Sequence, residues 1–144
     1  MRVRPALVLF DLDGTLIDSA PDLAGAANAM RVARGLEALS IESLRPMVGA
    51  GARGMVRLAF GVHPGEDNYE ALRSEFLQRY EEASLVHTRV FAAIEPVLGQ
   101  LESQQCRWGI VTNKAERFTH PIVEGLGLHK RAAVVVCGDT TPHS

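Results

Sequence analysis

The stretch that decides the fold is Ala6-Leu7-Val8-Leu9-Phe10-Asp11-Leu12-Asp13-Gly14-Thr15, in which a short apolar run ends in two carboxylates and a Gly-Thr turn. Residues 6–10 carry no polar side chain on either face, which predicts a strand buried between helices in a parallel sheet. In such sheets ligands bind beyond the carboxyl ends of the strands. The stretch therefore predicts an α/β fold with a binding site that begins at Asp11.

Asp11 and Asp13 are close enough in sequence to repel each other. Two carboxylates 4 Å apart repel by roughly 4 kcal/mol at an effective dielectric of 20. A bound divalent cation would offset this repulsion, and hard oxygen ligands favour Mg²⁺ over a transition metal. The alternative is a turn without a ligand, since Asp and Gly are common turn residues.

The composition excludes several classes of partner. The 144 residues are 47% hydrophobic and 22% charged with a net charge of −2, so no basic field favours nucleic acid or an anionic membrane. The apolar run before Asp11 is too short for export or membrane spanning. Cys106 and Cys137 adjoin or lie within apolar runs, which predicts buried, reduced thiols and a cytoplasmic protein. The histidines show no zinc-site spacing.

Residues 18–90 read as helix almost throughout. The first helix begins near Asp18 or Ser19 and ends near Gly35, and Ser40 caps a second. Three glycines in the six residues Gly49 to Gly54 predict a flexible or tightly turned loop. A third helix runs from Met55 to Phe60, and an amphipathic helix runs from Tyr69 to about Ser84.

Strands return after residue 91. Trp108–Thr112 and Ala132–Cys137 are predicted strands, and Glu116–Leu126 between them is a predicted helix. The step from Phe10 to Arg107 takes about 97 positions, whereas a strand-helix-strand unit takes roughly 30. We therefore expect a three-layer Rossmann-like core formed by residues 1–17 and 91–144, with residues 18–90 inserted as a helical cap domain.

Asp11-Leu12-Asp13-Gly14-Thr15 resembles the first motif of the haloacid dehalogenase-like hydrolase superfamily in its phosphatase form. Residues 16–23, Leu-Ile-Asp-Ser-Ala-Pro-Asp-Leu, are similar to the bacterial phosphoglycolate phosphatase branch. The resemblance implies that Asp11 becomes an aspartyl phosphate and that Asp13 is the acid/base. It also implies Mg²⁺ bound by Asp11 and the backbone carbonyl of Asp13. Dehalogenases lack the second Asp, so Asp13 argues against carbon–halogen cleavage.

Thr112-Asn113-Lys114 resembles the second motif of the superfamily. A hydroxyl at a strand end, followed by a helix N-terminus, offers an O–H, free backbone N–H groups and a favourable dipole to an anion. The alternative is a helix cap without a ligand. Together with the first motif, the pattern predicts that Gly14, Thr15, Thr112 and Asn113 bind phosphate.

Substrate choice is predicted to lie in the cap, at Gly49, Gly51 and Arg53. Arg53 is the only charged residue of its loop, and a guanidinium suits a carboxylate or a second anionic group. The alternative is a solvated surface arginine. The resemblance implies 2-phosphoglycolate or a similar small phosphorylated metabolite, and otherwise a sugar phosphate such as N-acetylmuramate 6-phosphate.

The sequence departs from the family pattern at its C-terminal end. The family has a Lys after the third strand and an acidic cluster after a fourth, whereas the sequence ends at Ser144. Lys114 and Lys130 do not match that Lys and are not assigned to the site. We expect a fragment of a longer protein, with residues 6–10 left as an exposed apolar edge.

Two non-phosphatase interpretations stay open. A non-catalytic phosphate-binding module would keep the fold without turnover. A receiver-like domain shares Mg²⁺ and phospho-Asp chemistry, but the helical insertion after the first strand argues against it.

Overall fold

A computed structural model describes residues 6–140, so the predicted core termini at residues 1–5 and 141–144 lie outside the described residues. Contacts between residues divide the chain into two compact units, a sheet unit of Met1–Asp18 with Arg89–Ser144 and a helical unit of Ser19–Thr88. The elements in chain order are β1 (Leu7–Phe10), β2 (Ile17–Asp18), α1 (Ala20–Ala33), α2 (Ile41–Leu44), a 3-10 helix (Arg45–Ala50), α3 (Gly51–Phe60), α4 (Tyr69–Glu82), β3 (Arg89–Val90), α5 (Glu95–Ser103), β4 (Arg107–Val111), α6 (Glu116–Gly125), a second 3-10 helix (Leu128–Lys130) and β5 (Val135–Val136).

The sheet unit is built on a three-stranded sheet in the order β1–β4–β5. Both pairs are parallel, with Phe10 opposite Ile110 and Ile110 opposite Val135. Trp108 and Ile110 of the central strand are 1% and 0% exposed. The parallel sheet confirms the predicted α/β fold.

The strand predicted to be buried on both faces is instead half-exposed. Leu7 and Leu9 of β1 are 37% and 52% exposed, and within residues 6–140 β1 pairs with β4 alone. The expectation of an exposed apolar edge is confirmed. Complete burial was the wrong expectation, because Leu7 and Leu9 alternate with the less exposed Val8 and Phe10, which leaves one face of β1 largely uncovered.

The third predicted strand is shorter than its apolar run. Only Val135 and Val136 form regular strand. Ala133 N still donates to Trp108 O at 2.7 Å, and Ile110 N donates to Val134 O at 2.9 Å. The apolar run therefore follows β4 without adopting strand geometry over its first residues.

The helical insertion leaves and returns at one place in the sheet unit. Strands β2 and β3 form an antiparallel pair, with Ile17 opposite Val90 and Asp18 opposite Arg89. Phe91 N also donates to Leu16 O at 3.1 Å. The two connecting strands thus support each other by backbone hydrogen bonds.

The helical unit packs an apolar stripe from each of its longer helices. Met30, Met55 and Phe76 are 0%, 0% and 2% exposed. The predicted amphipathic helix is confirmed as α4, and the Ser40 side chain accepts from Ser43 N as a helix cap. No helix within residues 6–140 combines the length and apolarity needed to cross a membrane.

The predicted glycine loop is wrong. Gly49 lies in the first 3-10 helix, and Gly51 begins α3 with φ +65° at the junction. A Cβ on Gly54 would lie 2.5 Å from Ala50 Cβ. The glycines therefore permit a sharp turn and close packing between two helices, which the sequence pattern alone cannot distinguish from a loop.

Candidate active site

The two predicted motifs follow neighbouring parallel strands. Because Phe10 is opposite Ile110, Asp11 and Thr112 leave the sheet at the same edge, beyond the carboxyl ends of β1 and β4. This is where α/β sheets bind ligands.

The turn after β1 is held by its own backbone. The Leu12 carbonyl accepts from the N–H groups of Thr15, Leu16 and Ile17 at 3.3, 3.0 and 3.1 Å. Gly14 has φ +78°, a conformation that favours glycine, and its N–H donates to Ile17 O at 2.9 Å. The turn presents an exposed Asp11, Gly14 and Thr15, and Asp11 Oδ1 accepts from Leu12 N at 2.9 Å.

Thr112 lies buried at the end of β4 and does not cap the next helix. Its Oγ1 accepts from Lys114 N at 3.1 Å, whereas the N-cap position of α6 is Ala115. The N–H of Glu116 is bound instead by Asp139 Oδ1 at 2.8 Å. The helix-cap alternative for Thr112 is therefore wrong. The neighbouring residue Asn113 is exposed.

Lys114 is the site neighbour that the sequence interpretation missed. Its Nζ lies 3.1 Å from Asp13 Oδ1, and the two side chains are 11% and 12% exposed. The sequence interpretation left Lys114 unassigned because it does not match the family's C-terminal Lys, and the structure places its ammonium against Asp13 all the same. The available signal was its position in the same strand-end tripeptide as Thr112.

The electrostatics of Lys114 reflect two opposing effects. Burial lowers the pKa of the Lys114 ammonium, and the Asp13 carboxylate opposes this through its charge and hydrogen bond. The net direction is a pKa below the usual lysine value. The contact joins the two strand-end loops across 101 positions of sequence.

The oxygen donors at this edge suit a hard cation. Mg²⁺ is usually held by one or two carboxylates and keeps several waters, which fits the Asp11 carboxylate and the Asp13 backbone carbonyl. Within residues 6–140 no group of three or more His, Cys, Asp or Glu side chains could hold a metal ion. The Asp11 carboxylate and the Asp13 carbonyl are oxygen donors of the kind that Mg²⁺ takes.

The predicted specificity residues belong to the helical unit. Gly49, Gly51 and Arg53 are exposed, and the structure does not bring them together with Asp11 in one compact unit. A cavity of about 300 Å³ in the helical unit is lined by Met47, Ala50, Arg53, Gly54, Arg57, His63 and Pro64. Two guanidiniums and an imidazole make this cavity suited to an anion.

Comparison with known proteins gives consistent matches. Residues 8–144 match the family model described as haloacid dehalogenase-like hydrolase. An N-acetylmuramic acid 6-phosphate phosphatase of Pseudomonas putida is 44% identical over all of this chain and 64% of its own length. A phosphoglycolate phosphatase of Xanthomonas campestris pv. campestris is 46% identical over 94% of this chain and 61% of its own length.

The fold is shared with solved structures. The crystal structure of a predicted phosphoglycolate phosphatase from Haemophilus somnus 129PT has a TM-score of 0.79 and 26% identity, over 96% of this chain and 65% of that one. The chain thus spans less than two thirds of the length of these relatives. The predicted Rossmann-like fold class is confirmed by these neighbours.

Proposed function

The chain belongs to the haloacid dehalogenase-like hydrolases, and on that basis we propose that the protein containing it is a phosphate monoester hydrolase. Its first substrate candidate is 2-phosphoglycolate or a similar small phosphorylated metabolite. The observation that carries the proposal is the convergence of two strand-end loops, in which Lys114 of the second contacts Asp13 of the first at 3.1 Å.

The proposed reaction has two steps. The Asp11 carboxylate attacks phosphorus, the bond to the leaving oxygen breaks, and Asp13 protonates that oxygen. Asp13 then takes a proton from water, which attacks the aspartyl phosphate, releases inorganic phosphate and regenerates Asp11. Enzymes accelerate monoester hydrolysis by up to about 10²¹, so positioning and charge stabilisation must both be strong.

Phosphate binding is assigned to the backbone and hydroxyl groups at the sheet edge. Gly14 and Thr15 offer exposed backbone groups in a fixed turn, and Thr112 and Asn113 follow β4. Bound Mg²⁺, held by Asp11 and the Asp13 carbonyl, would offset the repulsion between carboxylate and phosphate.

We assign the helical unit, within residues 18–90, as a cap that supplies substrate contacts. Arg53 lines the cavity of this unit, and no ion pair engages it within residues 6–140. A guanidinium without a carboxylate partner is available for an anionic substrate group. Gly49 and Gly51 shape the chain leading into the first turn of α3.

A second substrate candidate is N-acetylmuramate 6-phosphate. The cavity of about 300 Å³ with Arg53, Arg57 and His63 in its lining exceeds what a two-carbon acid fills. It suits a sugar acid, whose carboxylate would face the guanidiniums. Comparing kcat/KM for the two phosphates decides between them.

We place the protein in the cytoplasm. Cys106 and Cys137 are both buried, and neither forms a disulfide within residues 6–140, as expected of structural thiols in a reducing compartment. The proposed binding partner is a small phosphorylated metabolite, and neither nucleic acid nor a membrane is proposed as a partner.

The deciding experiment is Asp11→Asn in the full-length protein, assayed with p-nitrophenyl phosphate and Mg²⁺. Asn lacks the nucleophilic oxygen, so turnover should fall to background. The matched control, Asp67→Asn, changes an exposed carboxylate of the helical unit and should keep full activity. Activity retained by Asp11→Asn would refute the proposal, whereas phosphate binding without hydrolysis by the unsubstituted protein would support a non-catalytic module.

A further inference from the structure

Lys114 has a buried ammonium whose partner is a site carboxylate. Its Nζ lies 3.1 Å from Asp13 Oδ1, with both side chains close to nine-tenths buried. Removing an ammonium from water is costly unless a paired acceptor replaces the lost hydration. The Asp13 carboxylate therefore replaces part of the hydration that the Lys114 ammonium loses on burial.

The backbone of Lys114 is fixed from both sides. Its N–H donates to Thr112 Oγ1 at 3.1 Å. Its carbonyl accepts from Gly138 N at 3.0 Å and from Thr119 Oγ1 at 3.3 Å. Because both backbone groups of Lys114 are hydrogen-bonded, the Cα atom from which its side chain extends is held in place.

The turn at Gly138 and Asp139 completes this support. A Cβ on Gly138 would lie 2.3 Å from the Asn113 carbonyl oxygen, so only glycine permits this approach. Asp139 Oδ1 binds Glu116 N at 2.8 Å, at the first residue of α6. The loop after β4 is thus clamped between α6 and the segment that follows β5.

We propose that Lys114 is a positioning residue, which holds the Asp13 carboxylate in the orientation from which it exchanges a proton with the substrate. The inference rests on the proposed phosphatase function and deepens it. The ammonium engages Oδ1, and the proton exchange is assigned to Oδ2. In the first step the proton passes from Oδ2 to the leaving oxygen, and in the second it returns to Oδ2 from water.

Leaving-group dependence separates positioning from a merely structural ion pair. An alkyl phosphate such as 2-phosphoglycolate needs a proton on its leaving oxygen, whereas p-nitrophenolate leaves without one. In the step that forms the aspartyl phosphate, a residue that acts through Asp13 therefore affects the alkyl substrate more than the aryl substrate. A residue needed only for folding affects both alike.

The test is Lys114→Met in the full-length protein with Mg²⁺, measured on both substrates. General acid catalysis contributes about 10²- to 10⁴-fold, so we expect kcat/KM, which reports formation of the aspartyl phosphate, to fall about 100-fold on 2-phosphoglycolate and less than 10-fold on p-nitrophenyl phosphate. Lys114→Arg, which keeps the charge, should recover part of the alkyl activity. Lys130→Met alters the other lysine of the chain, which is exposed, and should change neither rate.

Two further variants test whether Lys114 acts through Asp13. In an Asp13→Asn background, Lys114→Met should cause little additional loss, because residues that act as a unit are not additive. If the Met variant does not fold, Lys114→Gln is measured on the same substrates with the same expectation. Equal losses on both substrates, or full additivity with Asp13→Asn, would overturn the inference. Failure of the unsubstituted protein to hydrolyse either phosphate is a separate result that refutes the proposed function and removes this inference with it.

Discussion

The carboxylate of Asp22 accepts a 2.7 Å hydrogen bond from the Thr88 hydroxyl, which joins the first turn of α1 to the last residue of the helical unit. Asp22 Oδ2 also accepts from Thr88 N at 2.8 Å and from His87 N at 2.9 Å. Both Asp22 and Thr88 are buried. One carboxylate thus closes the helical unit at the point where its two ends meet.

Replacing Asp22 should destabilise the helical unit. Asp22→Ala leaves buried N–H and O–H donors unsatisfied, at a cost of about 3 kcal/mol in the free energy of unfolding. Asp22→Asn keeps an acceptor oxygen and should cost less. Urea unfolding followed by circular dichroism measures the difference, with the exposed Asp67→Ala as control. Equal effects of Asp22→Ala and Asp67→Ala would contradict the assigned role.

Acid should weaken the helical unit through Glu75. Its carboxylate is bound by Arg34 at 2.8 Å and Arg79 at 2.9 Å. The hydrogen bond from Arg34, with that from Arg79, lowers the pKa of Glu75 to about 2 from 4.5. A lowered folded-state pKa gives stability that is present above the unfolded pKa and lost as the pH falls from about 5 to 2.

Comparing the native protein with Glu75→Gln isolates this effect. The native chain should lose more unfolding free energy than Glu75→Gln between pH 5 and pH 2.5, and 1 M salt should narrow the gap by screening. Glu70→Gln on the same helix, at an exposed position, is the control. Parallel pH profiles for the native chain and Glu75→Gln would show that the pair contributes nothing.

Arg53 should affect substrate choice more than turnover of a simple ester. Loss of a charged hydrogen bond costs about 1.5–3 kcal/mol, or roughly 10- to 150-fold. Arg53→Ala should therefore lower kcat/KM for carboxylate-bearing phosphates by about that factor and leave p-nitrophenyl phosphate nearly unchanged. Arg73→Ala, an exposed arginine of the same unit, is the control. An unchanged substrate ranking would remove Arg53 from the specificity site.

Gly138 should tolerate no side chain. In Gly138→Ala the new Cβ meets the Asn113 backbone carbonyl at 2.3 Å, which cannot move aside without disturbing the loop of Thr112 and Lys114. We expect destabilisation of about 1–3 kcal/mol together with reduced phosphatase activity. Gly99→Ala in α5 meets no atom within 4 Å and should be neutral or stabilising. Thermal unfolding of both variants checks this, and equal melting temperatures would contradict the predicted clash.

Local sequence patterns were sufficient to predict those structural features that depend only on residues near each other in the chain. The strand before Asp11, the Ser40 cap and the amphipathic helix from Tyr69 all follow from short-range chemistry and periodicity. The parallel arrangement also followed, because the helical segments between the apolar strands supply the crossover connections that parallel strands need. The glycine-rich segment did not follow, since glycine serves loops and close helix packing equally.

The sequence by itself determined the α/β class and the position of Asp11 and Thr112 at the ends of two strands, because residue types and their spacing specify both. Only the tertiary structure decided that Lys114 contacts Asp13, that Asp139 rather than Thr112 binds the start of α6, and that β1 is half-exposed. Each of these depends on the register between strands and on which elements pack together. A contact across 101 positions is set by the whole sheet, and no local pattern encodes it.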